Sequence, residues 1–130
     1  MLFDLQPESP VPIYEQIVAQ VIFDVASGSL PVGELIPSVR ELAIRLAVHP
    51  NTVARAFSEL EDKHRVVTAR RGRGMEVTAE APELCRAERL RIVRRRIREA
   101  LFEALSSSLS ADEIRKLVDE ELAKIHGRGK

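Results

Sequence analysis

The sequence predicts a mainly α-helical protein with one small β-hairpin and a two-helix C-terminal segment. Three observations carry this reading. Apolar residues recur at helical spacing through most of the 130-residue chain, strand character is confined to two short runs around an Arg-Gly stretch, and Ser-x-x-Glu cap signatures at Ser38 and Ser110 divide the helical pattern.

From Pro12 to Ser27, Ile13, Ile17, Val21 and Val25 recur every fourth residue, flanked by Tyr14, Val18 and Ile22. So wide an apolar stripe predicts a helix of about four turns packed on a core. Gly28 and the run Pro31-Val32-Gly33 end it and make a turn. Ser38 with Glu41 then caps a short second helix, whose buried face is Val39, Leu42, Ala43 and Leu46. A residue before proline avoids the helical region, so His49 is expected in a break and Pro50 in the first turn of a third helix. Val53, Ala56, Phe57 and Leu60 form the buried face of that helix. Val66 to Thr68 and Met75 to Thr78 read as short strands about the turn Arg71 to Gly74.

Three helices followed by a basic hairpin is the order of a winged helix-turn-helix domain. In that arrangement the first helix of the pair crosses the phosphate backbone, and the second enters the major groove with its leading residues at base edges. Asn51, Thr52 and Arg55 are the polar side chains on those leading turns, with Ser38 and Arg40 at the start of the helix before them. Asn suits adenine, Thr a methyl or phosphate, and Arg guanine or phosphate. At the hairpin, Arg70, Arg71 and Arg73 surround Gly72, and glycine permits close backbone approach to a duplex.

The charge pattern agrees. Lysine plus arginine equals aspartate plus glutamate, 20 each, but the balance hides a segregation. Residues 1–39 hold five acids and no lysine or arginine, whereas Lys63 to Arg73 holds five bases and no acid. A second basic run, Arg86 to Arg98, has seven arginines against Glu88 alone. For that run, including Arg94, Arg95 and Arg96, a solvated or intersubunit face is the expectation.

The stretch IPSVRELAIRLAVHPNTVARAFSELE followed by RRGRG, together with the upstream PIYEQI and GSLPVGELIPSVR, resembles the DNA-binding domain of the GntR family of transcription regulators. The resemblance spans roughly residues 10–79 and implies that Arg40 contacts DNA, with the third helix and Gly72 approaching bases and backbone. The chain departs from the family pattern where Pro50 replaces a frequent arginine, where Asp62 to Arg65 lacks the usual glycine, and where Met75-Glu76-Val77 follows the wing glycine.

Residues 82–130 continue a helical stripe through Leu90, Val93, Ile97, Leu101 and Leu105, then through Ile114, Leu117, Val118 and Leu122 after the Ser110 cap. The first of these helices would be roughly 35 Å long, more than so small a domain can cover. A second copy covering both stripes predicts a homodimer. Two reading heads on a twofold axis would address a palindromic operator, and occupying such a site near a promoter predicts a repressor. The short two-helix segment resembles the YtrA subfamily of GntR regulators, which is compatible with control of an adjacent transporter operon.

The same residues give an enzyme little material. His49, His64 and His126 lack metal-ligand spacing, Cys85 is alone and reads as a bystander, and the glycines form no nucleotide loop, so neither metal nor cofactor is expected. No polar cluster marks an effector pocket, and a small-molecule effector stays unidentified. The N-terminus lacks a basic segment followed by an apolar run, making cytoplasmic the default location. The rival reading is a protein-interaction module that uses the same scaffold without DNA.

Overall fold

The computed structural model describes residues 3–72 and 74–128. The chain divides into two compact units, Met1–Ile92 and Val93–Lys130.

In the first unit, α1 (Ile13–Ser27) is closed by Gly28 at φ 87°, and it buries Ile17, Val18, Val21, Ile22 and Val25. Gln16 on α1 fixes the segment before it. Its amide group donates to the carbonyls of Gln6 (3.0 Å) and Val11 (2.9 Å) and accepts the Gln6 N–H at 2.7 Å. That segment lays Phe3 and Leu5 against the core.

Helix α2 (Val39–Leu46) starts at Ser38, whose hydroxyl accepts the Glu41 N–H at 3.1 Å. The cap signature is met on one side only, since the Glu41 carboxylate turns to Arg45 one turn on, at 2.8 Å. Ala47 ends α2 in the left-handed conformation, φ 55°. Helix α3 (Pro50–Ser58) follows at once, with Pro50 in its first turn, and packs on both α1 and α2. Val53, Ala56, Phe57 and Leu60 are buried as the spacing predicts. The chain then makes a π-helical turn, Glu59–Lys63, and Arg65 takes φ 59° in the stretch without a glycine.

The sheet has one strand more than the sequence predicts. Strands β2 (Val67–Arg70) and β3 (Gly74–Val77) form the expected antiparallel hairpin, and β1 (Leu35–Ile36) pairs on the other edge of β3, giving the order β1-β3-β2. At two residues, β1 is too short to carry a periodicity, and it lies just past the Pro31 to Gly33 turn. Gly33 N–H donates to the Val77 carbonyl at 2.9 Å, and Val77 N–H to the Glu34 carbonyl at 3.0 Å.

Helix α4 (Ala81–Ser106) begins three residues before Leu84, with Pro82 tolerated in its first turn. The sequence boundary near residue 80 marks the start of α4, but the first compact unit runs to Ile92 because Ala81, Cys85 and Ile92 belong to its core. Cys85, read from sequence as a bystander, is thus a packing residue, and burial, with Glu88 near by, pushes its thiol up to about 11. In the second unit, α5 (Ala111–Arg128) opens on a reciprocal cap: Ser110 Oγ accepts the Glu113 N–H, and Glu113 Oε1 accepts the Ser110 N–H, each at 3.1 Å.

Candidate nucleic-acid interface

The helix-turn-helix is built by local chemistry at the Ala47 to Pro50 turn. His49 Nδ1 accepts the Asn51 N–H at 3.0 Å, satisfying one of the donors that every helix start leaves open. Proline needs no such partner. A histidine in this capping role was not read from the sequence, which placed His49 in the break without a function for its ring.

Asn51 is exposed and Thr52 half-buried on the leading turn of α3. Arg40 is exposed on the first turn of α2 and makes no ion pair among the described residues. Ser38 lines one side of a groove whose other side carries Gly72 and Gly74 of the wing, and Arg45 shares its lining. Helix start and hairpin tip, 34 residues apart in the chain, thus face a common opening. The sequence did not single out Arg45, which reads as an ordinary i,i+4 partner of Glu41.

The wing tip depends on two glycines. Gly72 has φ 75°, and Gly74 has φ 97°, where an added Cβ would meet the Ile36 carbonyl oxygen at 3.4 Å. Both conformations favour glycine. Arg71 at this tip is exposed and makes no ion pair among the described residues. Arg73 lies outside the described residues.

Two of the expected arginines have partners inside the chain. Arg70 pairs with Glu76 across the hairpin, which neutralises part of the wing's charge and ties β2 to β3. Arg55 stacks on the Tyr14 ring, its Cζ 3.8 Å from the centroid, and donates from Nη2 to the Tyr14 hydroxyl at 3.0 Å. Tyr14 counted in the sequence only as a flank of the α1 stripe. Desolvation, with Arg55 pulling the other way, raises its phenol above the ordinary 10.

Of the stripe residues beyond the wing, Leu90, Val93, Ile97, Leu101 and Leu105 on α4 are exposed, as are Leu117, Val118 and Leu122 on α5. Ile114 differs, being 8% exposed and already covered within the single chain. Phe102, 73% exposed, and Ile125 extend the uncovered apolar surface. No group of three or more metal-ligand side chains, and no helix long and apolar enough to cross a membrane, occurs among the described residues.

A capped helix pair with exposed polar leading turns, followed by a glycine-tipped hairpin, is the layout of a winged helix-turn-helix. Residues 13–77 match the family model described as bacterial regulatory proteins, gntR family. The chain belongs to the GntR family. It is 28% identical over 126 residues, 97% of this chain and 96% of the relative, to the HTH-type transcriptional repressor YtrA of Bacillus subtilis (strain 168). Among solved structures it is similar to YtrA from Sulfolobus acidocaldarius, a GntR-family transcription factor, at 31% identity and TM-score 0.56, covering 95% of this chain and 98% of that one. It is also similar to a transcriptional antiterminator from Listeria monocytogenes EGD-e, at 35% identity and TM-score 0.68 over 93% and 90% of the two chains. This GntR protein is a YtrA-like, DNA-binding transcription regulator with a winged-helix fold.

Proposed function

We propose that this GntR regulator is a cytoplasmic repressor without catalytic activity of its own, acting as a homodimer on a palindromic operator. The observation that carries the reading is the groove shared by Ser38 and the Gly72 to Gly74 wing, with Arg40 and Arg71 exposed and without ion pairs among the described residues. Residues 10–79 supply the reading domain. Ser38, Arg40, Asn51, Thr52, Arg55, Arg71 and Gly72 meet the duplex, and so does Arg73. Arg70 contributes through a guanidinium shared with Glu76. Residues 82–130 supply the dimerisation segment, on the strength of the exposed stripes of α4 and α5. A twofold dimer presents two reading heads to half-sites about one helical turn apart or a multiple of it. Blocking polymerase at such a site represses, and the YtrA resemblance points to an adjacent transporter operon as the target.

The test is binding to duplex DNA from the region upstream of its own gene at two salt concentrations, for the native protein, Arg40→Ala and Arg71→Ala. The expected result is tight binding that weakens steeply with salt and is reduced in both folded variants. Salt-independent binding, or none, would move the weight to the protein-interaction reading.

A further inference from the structure

Arg55 and Tyr14 stand 41 residues apart in the chain and on different helices, yet they are joined twice, by the ring stack and by the 3.0 Å hydrogen bond. Arg55 follows Asn51 by one helical turn, so both lie on the face of α3 turned away from Val53, Ala56 and Phe57. The tyrosine is itself fixed. Its hydroxyl donates to Glu15 Oε1 at 3.2 Å, and since a carboxylate only accepts, the hydroxyl proton goes to Glu15 and a lone pair faces Arg55. Stacking occupies one face of the guanidinium, and the tyrosine takes one of its five N–H donors. The other donors stay on an exposed edge of the reading helix.

We infer that Tyr14 is a positioning residue for DNA binding, holding Arg55 ready on the surface of α3 as a phosphate clamp. The inference rests on α3 being the reading helix. A free arginine must be ordered when it meets a phosphate, and that loss of rotamer freedom weakens binding. Here the loss is taken on folding, in the contact with α1. The first turn of α1 therefore acts on recognition without touching the duplex. Tyr14, Glu15 and Arg55 form the chain of contacts, each side chain setting the direction of the next.

The experiment is a double-mutant cycle on the duplex that the wild-type protein selects from random-sequence DNA, read as affinity against salt, with urea unfolding of every variant. Arg55→Ala is expected to weaken binding at least tenfold and to lower the salt slope by about one ion for each protomer bound. Tyr14→Leu is expected to weaken binding severalfold with the slope retained, because the charge is still present. Tyr14→Phe, keeping the ring, should recover most of the loss. The double variant should bind as Arg55→Ala does, since the tyrosine acts only through the arginine. A merely structural tie predicts a different pattern, in which Tyr14→Leu lowers stability and leaves the affinity of the folded protein unchanged. That outcome, or additive losses, overturns the inference. If Asn51→Ala and Arg40→Ala also leave binding untouched, α3 is not the reading helix and the underlying reading falls with it.

Discussion

The ring nitrogen Nδ1 of His49 holds the backbone N–H of Asn51 at 3.0 Å, so the last residue of the turn is also the first anchor of α3. Side-chain oxygens usually fill this position, and replacing them with alanine costs about 1 kcal/mol. His49→Ala should cost a similar amount in urea unfolding, and His49→Asn should restore it. DNA affinity should follow stability in the same order, because the cap orders the backbone that carries Asn51 and Thr52.

Arg65 sits at φ 59° between the π-helical turn and β2, with its carbonyl accepting the Thr78 hydroxyl at 3.0 Å. The left-handed conformation costs a residue with a Cβ about 1–2 kcal/mol. Glycine removes that strain but loses about 0.5–1 kcal/mol in chain entropy. The first term is the larger, so Arg65→Gly should stabilise the protein by about 0.5–1 kcal/mol by denaturant titration, leaving the Thr78 bond in place.

Burial lowers the pKa of half-buried His64 below its ordinary 6.5, against an opposing pull from Glu88. The unfolded chain then takes up a proton at a pH where the folded chain does not. Stability should accordingly fall as pH drops through about 6.5 and be fully present above it. His64→Gln, which cannot titrate, should flatten that part of the stability profile measured from pH 5 to 8.

Leu101 and Leu122 lie on the uncovered stripes of α4 and α5. In the proposed dimer, Leu122→Asp should shift the protein toward monomer in sedimentation velocity, because a charge would be buried at the subunit contact. Surface exposure in the single chain means that its own fold loses little. Operator binding should weaken steeply, since two tethered heads bind far better than two separate ones.

Helices α1 to α3 were legible because each writes its buried face at helical spacing and because Ser38 and Pro50 mark two starts. Strand β1 was not, since it is held by backbone pairing to β3, which any side chain permits. The partners of the basic residues were hidden for another reason. Arg55 meets Tyr14 only after α1 packs on α3, while Arg70 meets Glu76 only once β2 and β3 pair. The second of these left a faint trace in the sequence, with opposite charges placed either side of the Gly72 to Gly74 turn. Ile114 read as one more residue of an open stripe, because periodicity assigns a face without saying which chain covers it. Cys85 shows the same limit, since a lone cysteine reads as a bystander until α4 brings it into the core.

The clamp that Gln16 places on Gln6 and Val11 bears on where this protein can be cut. The family match begins at Ile13, an obvious place to trim a fragment. Such a fragment would lack the backbone groups that satisfy the Gln16 amide and the Phe3 and Leu5 side chains that cover the core. A fragment that keeps these contacts begins at Phe3, ten residues before the family match.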